Sequence, residues 1–270
     1  MLGAIIGDIV GSVYEFNNYK AKDFQPFFHP KGFFTDDTVC TVAIADALLN
    51  QRDPAIALRE WCRRYWHIGG WGLRYADWVK SDVMGPYNSM GNGAAMRVSP
   101  AGFIANSIEE AINLAHRVTE VTHNHPEGLK GAAATAVAIY LAKTKHNTEQ
   151  IRDFISTEFD YDLDRTVDEI RAVYEYNELS PTTVPEALIC ALDATGYEDA
   201  VRNAISIGGD SDTIAAIAGS VAEAMFGLND AILLTGLAIV PGDMKDILLN
   251  LYTNSMSSNG GSSITVFLKN

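Results

Sequence analysis

Several absences narrow the chain before any motif is read. Three cysteines, Cys40, Cys62 and Cys190, occur among 270 residues, widely separated, odd in number and without a C-x-x-C pair. A disulfide framework or structural zinc site is therefore not expected, and a reducing compartment is the easier reading. Basic residues are scarce: 20 Lys and Arg stand against 34 Asp and Glu, a formal net charge of −14. Such a surface does not suit general binding to nucleic acid or anionic membrane, where cations must neutralise phosphates. Long apolar runs are missing too. Stretches such as Ala132 to Ala142 fall short of the roughly 20 residues a membrane span requires. The opening Met1 to Asp8 lacks a basic region and is interrupted by Asp8, so no signal peptide is expected, and the chain reads as cytoplasmic. No proline-rich linker, charge break or internal repeat divides it, which points to one domain over residues 1–270.

What is present is mostly helical periodicity. Val39 to Leu49, Glu109 to Arg117, Lys130 to Lys143, Thr148 to Glu158, Val184 to Ala194, Asp199 to Ile207 and Thr213 to Phe226 read as helices, several of them alanine-rich. Small residues let helices approach closely, so the last of these is expected to be a buried central helix. Alternating β-branched stretches are rare, Ser263 to Phe267 being the clearest, and Asn254 to Ser263 reads as a flexible turn. The expected fold is all-α.

Two short acidic motifs resemble one another. Thr35-Asp36-Asp37-Thr38 runs into the helix expected from Val39. Asp210-Ser211-Asp212-Thr213, introduced by Gly208-Gly209, runs into the helix expected from Ile214. Capping explains one acceptor per motif, because Asp, Ser and Thr accept from the free N–H groups of a first turn. Each motif supplies more acceptors than a cap uses, and buried carboxylates are costly unless a cation compensates them. Hard divalent cations take such oxygen ligands. Capping and a cation site, with Asp36, Asp37, Asp210, Asp212, Thr35 and Thr213 as donors, both stay open on the spacing.

The opening segment repeats glycine at positions 3, 7 and 11, on one face of a helix that also carries Asp8 and Glu15, seven apart. Repeated glycine in a helix suggests close backbone packing or close ligand approach. The loop Asn88 to Arg97 is rich in small residues suited to cradling a phosphate, yet it is neither a dinucleotide fingerprint nor a Walker loop. Arg97 reads equally as a phosphate partner or a structural ion pair. Thr122-His123-Asn124-His125-Pro126 completes no zinc triad, so His123 reads as structural or as orienting a substrate. The tryptophans at 61, 66, 71 and 78 read first as packing. Asp160 to Asp164 begins like a calcium loop, but Arg165 and Arg171 replace its turn glycine and closing acid.

Taken together, GDIVGSVYE, FTDDT, GNGAAMR, THNHPEG, TVPEAL and GGDSDTIAAIAGSVAEA, in this order from about residue 3 to 227, resemble the ADP-ribosylglycohydrolases. The resemblance implies a compact orthogonal helix domain with two divalent cations, Mg²⁺ or Mn²⁺, at the mouth of a cleft. It implies that Thr35, Asp36, Asp37, Asp210, Asp212 and Thr213 are metal ligands, with Glu15 on the first helix beside them and Glu15, Asp36 and Asp212 serving catalysis. It implies that Ser89, Met90, Gly91, Asn92 and Gly93 bind the diphosphate side of a ligand, with His123 on the ribose side. Met90 stands where some relatives carry an adenine-stacking aromatic, leaving that role to Tyr87 or a residue of the tryptophan cluster.

The implied activity is metal-dependent hydrolysis of the bond between ADP-ribose and an acceptor, on an ADP-ribosylated protein or a small ADP-ribose conjugate. Nucleic acid enters only as an ADP-ribosylated substrate, and a monomer is the default. Two alternatives share these features: a metal-dependent phosphoesterase and a non-catalytic ADP-ribose-binding protein.

Overall fold

The computed structural model describes residues 1–256; of the turn expected at Asn254 to Ser263, residues 254–256 instead complete the last helix, and the rest, with the alternating stretch Ser263 to Phe267, lies outside the described residues. The described chain is a succession of helices: α1 (Leu2–Gly11), α2 (Asp36–Leu49), α3 (Pro54–Arg64), α4 (Leu73–Lys80), α5 (Ser99–Ile104), α6 (Ile108–Thr119) and α7 (Pro126–Lys143). It continues with α8 (Thr148–Phe159), α9 (Val167–Val173), α10 (Ser180–Leu192), α11 (Tyr197–Ser206), α12 (Ser211–Phe226), α13 (Asp230–Ile239) and α14 (Gly242–Met256). No strand occurs among the described residues; one antiparallel bridge joins Gly91 to Leu179.

The core is a set of helices buried on nearly every side. All ten residues of α1 are buried, as are most of α2, α7, α10 and α12. This is the arrangement expected when alanine, glycine and β-branched residues surround a helix without a polar stripe. The glycine repeat in α1 has a direct physical cause. A Cβ on Gly3 would lie 2.3 Å from the Gly219 carbonyl oxygen, one on Gly7 2.1 Å from that of Ala215, and one on Gly11 2.5 Å from the Asp212 Cα. The two backbones touch along their length, so the repeat reflects helix packing rather than ligand approach. This contact carries Asp212, at the start of α12, against the end of α1.

The start of α2 is set by its own cap and by a side chain reaching in from another helix. Helix α2 begins at Asp36, three residues before the expected Val39. Thr35 Oγ1 accepts from the Asp37 amide at 3.2 Å, and buried Asp8 of α1 accepts from the Thr35 amide at 2.9 Å and the Thr38 amide at 3.2 Å. These acceptors satisfy N–H groups that the helix cannot. Glu15, expected on the first helix, lies beyond it: α1 stops at Gly11, and residues 12–16 form turns, with the Tyr14 amide donating to the Gly11 carbonyl. The turn directs the Glu15 carboxylate toward the start of α12.

Candidate active site

Three segments far apart in sequence meet at one cleft of about 620 Å³. The turn after α1 supplies Glu15, the first turn of α2 supplies Asp36 and Asp37, and the entry to α12 supplies Asp210, Asp212 and Thr213. Carboxylate oxygens of Glu15, Asp210 and Asp212 lie within 4.8 Å of one another. Thr213 Oγ1 donates to Asp37 Oδ2 at 3.0 Å and ties the two acidic motifs together. Thr35 is buried behind them, its hydroxyl donating to Asp8 Oδ1 at 2.7 Å while it caps α2.

Capping accounts for little of this arrangement. Thr35 is the cap of α2, whereas Asp210, at the cap position of α12, makes no capping bond to the amides of that helix. Its Oδ2 instead accepts from Asn92 Nδ2 at 2.7 Å. Gly208 and Gly209, with φ of +77° and +78°, make the left-handed turn that brings Asp210 to this position, a conformation glycine adopts without a Cβ clash.

None of Asp8, Glu15, Asp36, Asp37, Asp210 or Asp212 is ion-paired with Lys or Arg among the described residues. Burial, reinforced by the charge of Asp212, raises Asp8 to about 7 and Glu15 to about 8. Burial and neighbouring carboxylates push Asp36, Asp37 and Asp210 well above the usual range, and burial raises Asp212. A dense all-oxygen donor set, short of positive charge, is what a hard divalent cation stabilises.

The opposite wall is the loop through residues 89–93. The Ser180 amide donates to the Met90 carbonyl at 3.0 Å, the Asn92 amide to the Glu178 carbonyl at 2.8 Å, and Ser180 Oγ to the Gly91 carbonyl at 2.8 Å. The Gly91 amide donates to Ser89 Oγ at 3.1 Å. The loop is thus held by its own side chain and by the segment entering α10, whose Thr183 Oγ1 accepts from Asn92 Nδ2 at 3.2 Å. Ser89, Gly91, Asn92, Gly93 and His123 line the cleft. Met90 is not among the lining residues and takes part through its backbone.

Several cleft residues were not singled out by the sequence: Phe16, Leu73, Tyr176 and Glu178 at the rim; Asp8, noted with Glu15 on the first helix, lies behind the acids. Phe16 and Leu73 are 86% and 88% exposed beside the polar interior. Asp8 carried a signal, an acid within an otherwise apolar helix; the rim residues carried none. Of the tryptophans, Trp61 and Trp78 are buried, whereas Trp71 lines the cleft and stacks on Trp66, ring centres 5.5 Å apart. Tyr87 also lines it. Arg165 of the acidic loop makes a two-pronged bond to Glu186 at 2.8 and 2.7 Å, a structural contact.

Comparison with known proteins agrees with this picture. The sequence pattern of the ADP-ribosylglycohydrolase family matches residues 1–250. The chain is 26% identical over 265 residues to ADP-ribosylarginine hydrolase Tri1 of Pseudomonas putida, covering 85% of this chain and 70% of that protein. It is 24% identical over 307 residues to ADP-ribosylhydrolase ARH3 of Bos taurus, covering 84% of each. A solved structure described as an ADP-ribosylglycohydrolase-related protein complex shares the fold, with a TM-score of 0.71 and 24% identity over 94% of this chain and 97% of that one.

Proposed function

The chain belongs to the ADP-ribosylglycohydrolase family, and from that premise we propose that it hydrolyses the bond between the C1″ carbon of ADP-ribose and an acceptor atom, using two divalent cations, Mg²⁺ or Mn²⁺. The substrate is an ADP-ribosylated protein side chain or a small ADP-ribose conjugate; water adds across the bond, giving free ADP-ribose and the protonated acceptor. The observation that carries this reading is the convergence of Glu15, Asp210 and Asp212 within 4.8 Å, joined by Asp36, Asp37 and Thr213, in one cleft facing a glycine-rich loop.

Asp36, Asp37, Asp210, Asp212 and Thr213 would hold the cations, with Thr35 completing the set behind them. When bound, the cations polarise ribose hydroxyls and lower the pKa of a nearby water. Glu15, at the open side of the cluster, handles the proton as C1″ develops oxocarbenium character, and Asp36 or Asp212 serves if Glu15 does not. Asn92 keeps Asp210 aimed into the cleft through its amide. Ser89, Gly91, Asn92 and Gly93, with His123 beside them, hold the diphosphate and ribose so that the scissile bond meets the acids. The loop acts from a fixed position, because Met90 and Asn92 are pinned to the segment at 178–180.

The test is ADP-ribose release from arginine-, serine- and base-linked substrates with Mg²⁺, Mn²⁺ or EDTA. Release that EDTA abolishes and metal restores supports the reading and names the acceptor. Phosphate release from simple esters with ADP-ribosylated substrates intact would replace it by a phosphoesterase, and ADP-ribose binding without turnover by a binding protein.

A further inference from the structure

Arg97 is 1% exposed, borders the cleft, and has no carboxylate partner among the described residues. The structural ion pair that its sequence position allowed is therefore not formed. A guanidinium stays protonated and only donates. Nη2 of Arg97 donates to Thr122 Oγ1 at 2.7 Å, and Nε has no acceptor. Thr122 Oγ1 in turn lies 2.7 Å from His123 Nδ1. The Thr122 carbonyl accepts from the Tyr87 and Ser89 amides at 3.3 and 3.4 Å, so the same residue also anchors the loop.

Counting protons fixes the direction of this relay. The threonine hydroxyl has one proton and two lone pairs, and Arg97 occupies one lone pair. Were His123 Nδ1 protonated, it would take the second lone pair, and the buried hydroxyl proton would have no other acceptor among the described residues. With Nδ1 bare, the hydroxyl donates to it and both contacts are satisfied. The imidazole proton then resides on Nε2. That atom faces the loop, 3.5 and 3.4 Å from where a Cβ on Gly91 and on Gly93 would be. Burial, with the Arg97 charge adding to it, holds the His123 pKa well below the usual imidazole value, so the ring is neutral.

We propose that Arg97 is a positioning residue: by donating to Thr122 it holds that hydroxyl against His123 Nδ1, and the hydroxyl keeps His123 as the Nε2–H tautomer, so that the cleft wall presents a neutral hydrogen-bond donor to an oxygen of the bound ADP-ribose group. The relay rests on the contacts above, whereas the ligand it serves rests on the hydrolase reading. One consequence is that His123 Nε2 cannot accept a proton from water, which leaves proton transfer to the carboxylates.

Nitrogen-15 NMR of the six histidines, with the His123 signals assigned through His123→Gln, reads the tautomer directly. The wild-type protein is expected to show a protonated Nε2 and a bare, hydrogen-bonded Nδ1. Thr122→Val removes the hydroxyl at nearly constant shape: the Nδ1 resonance should move, and the Kd for ADP-ribose should rise about tenfold, the loss of one useful hydrogen bond. Thr122→Ser should restore both. Arg97→Met removes the donor that holds the Thr122 hydroxyl in place and should move the His123 Nδ1 resonance, while Arg97→Lys keeps a donor and should not. If Arg97→Met does not fold, the Thr122 pair and the wild-type spectrum still decide. Protonated Nδ1 in the wild type, or an unmoved Nδ1 resonance in Thr122→Val, overturns the relay. Wild-type resonances in folded Arg97→Met remove Arg97 from it. Failure of the wild type to bind ADP-ribose, with the resonances as expected, overturns the hydrolase reading and leaves the tautomer assignment standing.

Discussion

At the scale of single residues, Asp212 is the charge around which the site is organised. Its carboxylate raises the pKa of Asp8, Glu15, Asp36, Asp37 and Asp210 alike. Asp212→Asn removes that repulsion together with a proposed cation ligand. ADP-ribose release is therefore expected to fall at least about a hundredfold, while the cation-free melting temperature near pH 8 holds or rises. Paired turnover and melting measurements check this, and unchanged turnover would remove Asp212 from the machinery. Glu15→Gln keeps the shape and loses the proton-transfer group, so ADP-ribose should still bind while kcat drops by roughly 10² to 10⁴; an active variant would move that role to an aspartate. The acids were legible because two short motifs, TDDT and DSDT, offer more oxygens than helix caps use. Phe16, Tyr176 and Glu178 were not, because nothing near them in sequence says which distant segments they face.

At the scale of elements, the long helices could be read from periodicity, and α8 begins at the expected Thr148 behind its own Asn147 cap, but the starts of α2 and α10 could not be read. Helix α2 begins three residues early because Asp8, from another helix, satisfies its first amides. Helix α10 begins at Ser180 rather than Val184, and its first amide is held by the Met90 carbonyl across the chain. Such acceptors are tertiary, and no local pattern announces them. Helices α3, α4, α5, α9, α13 and α14 were not anticipated. Most are short or mixed in polarity, although Asp53 and Pro54 form a cap and first-turn pair ahead of α3 that was there to be seen. The glycines of α1 were legible as a repeat, but only the structure shows what they touch. A Cβ on Gly7 meets the Ala215 carbonyl at 2.1 Å, and backbone cannot move aside as a side-chain tip can. Gly7→Ala should therefore destabilise the protein by about 1–3 kcal/mol or more through overpacking, and reduce turnover by displacing Asp212. Gly85→Ala, with nothing within 4 Å of its new Cβ, is the matched control and should melt within about a degree or two of wild type. Equal melting temperatures for the two variants would contradict the packing account.

At the scale of the whole molecule, residues near both ends of the described chain share one core, since α1 lies along α12 and the acids come from the turn after α1, from α2 and from α12. We propose that the chain unfolds as one cooperative unit, so that a cation which binds the folded cleft stabilises the entire fold rather than a loop. The raised carboxylates set the sign of the pH effect. Asp8, at about 7, and Glu15, at about 8, bind protons more tightly folded than unfolded. Their contribution to stability is fully present below the unfolded carboxylate range and is lost as pH rises through the folded values. Asp46, Asp199 and Asp243 are shifted the other way and lose stability only as pH falls below about 4, while His123, held below the usual imidazole value, favours folding as pH rises from about 5 to about 7 and offsets only part of the effect of the more numerous raised carboxylates. In EDTA the melting temperature should thus decline from about pH 5 to about pH 8, as a single transition. Adding Mg²⁺ or Mn²⁺ should reverse the decline, because the cation supplies the positive charge that the lost protons supplied. At a concentration a hundred times its Kd the gain is about 2.7 kcal/mol, a rise of several degrees. It should be greatest near pH 8 and smallest near pH 5, where protons compete for the same oxygens. Calorimetry across that range, with and without cation, decides the matter: a profile in EDTA that does not decline would mean that the carboxylates are not raised as a group, and a cation effect equal at both ends would mean that these acids are not the cation's ligands.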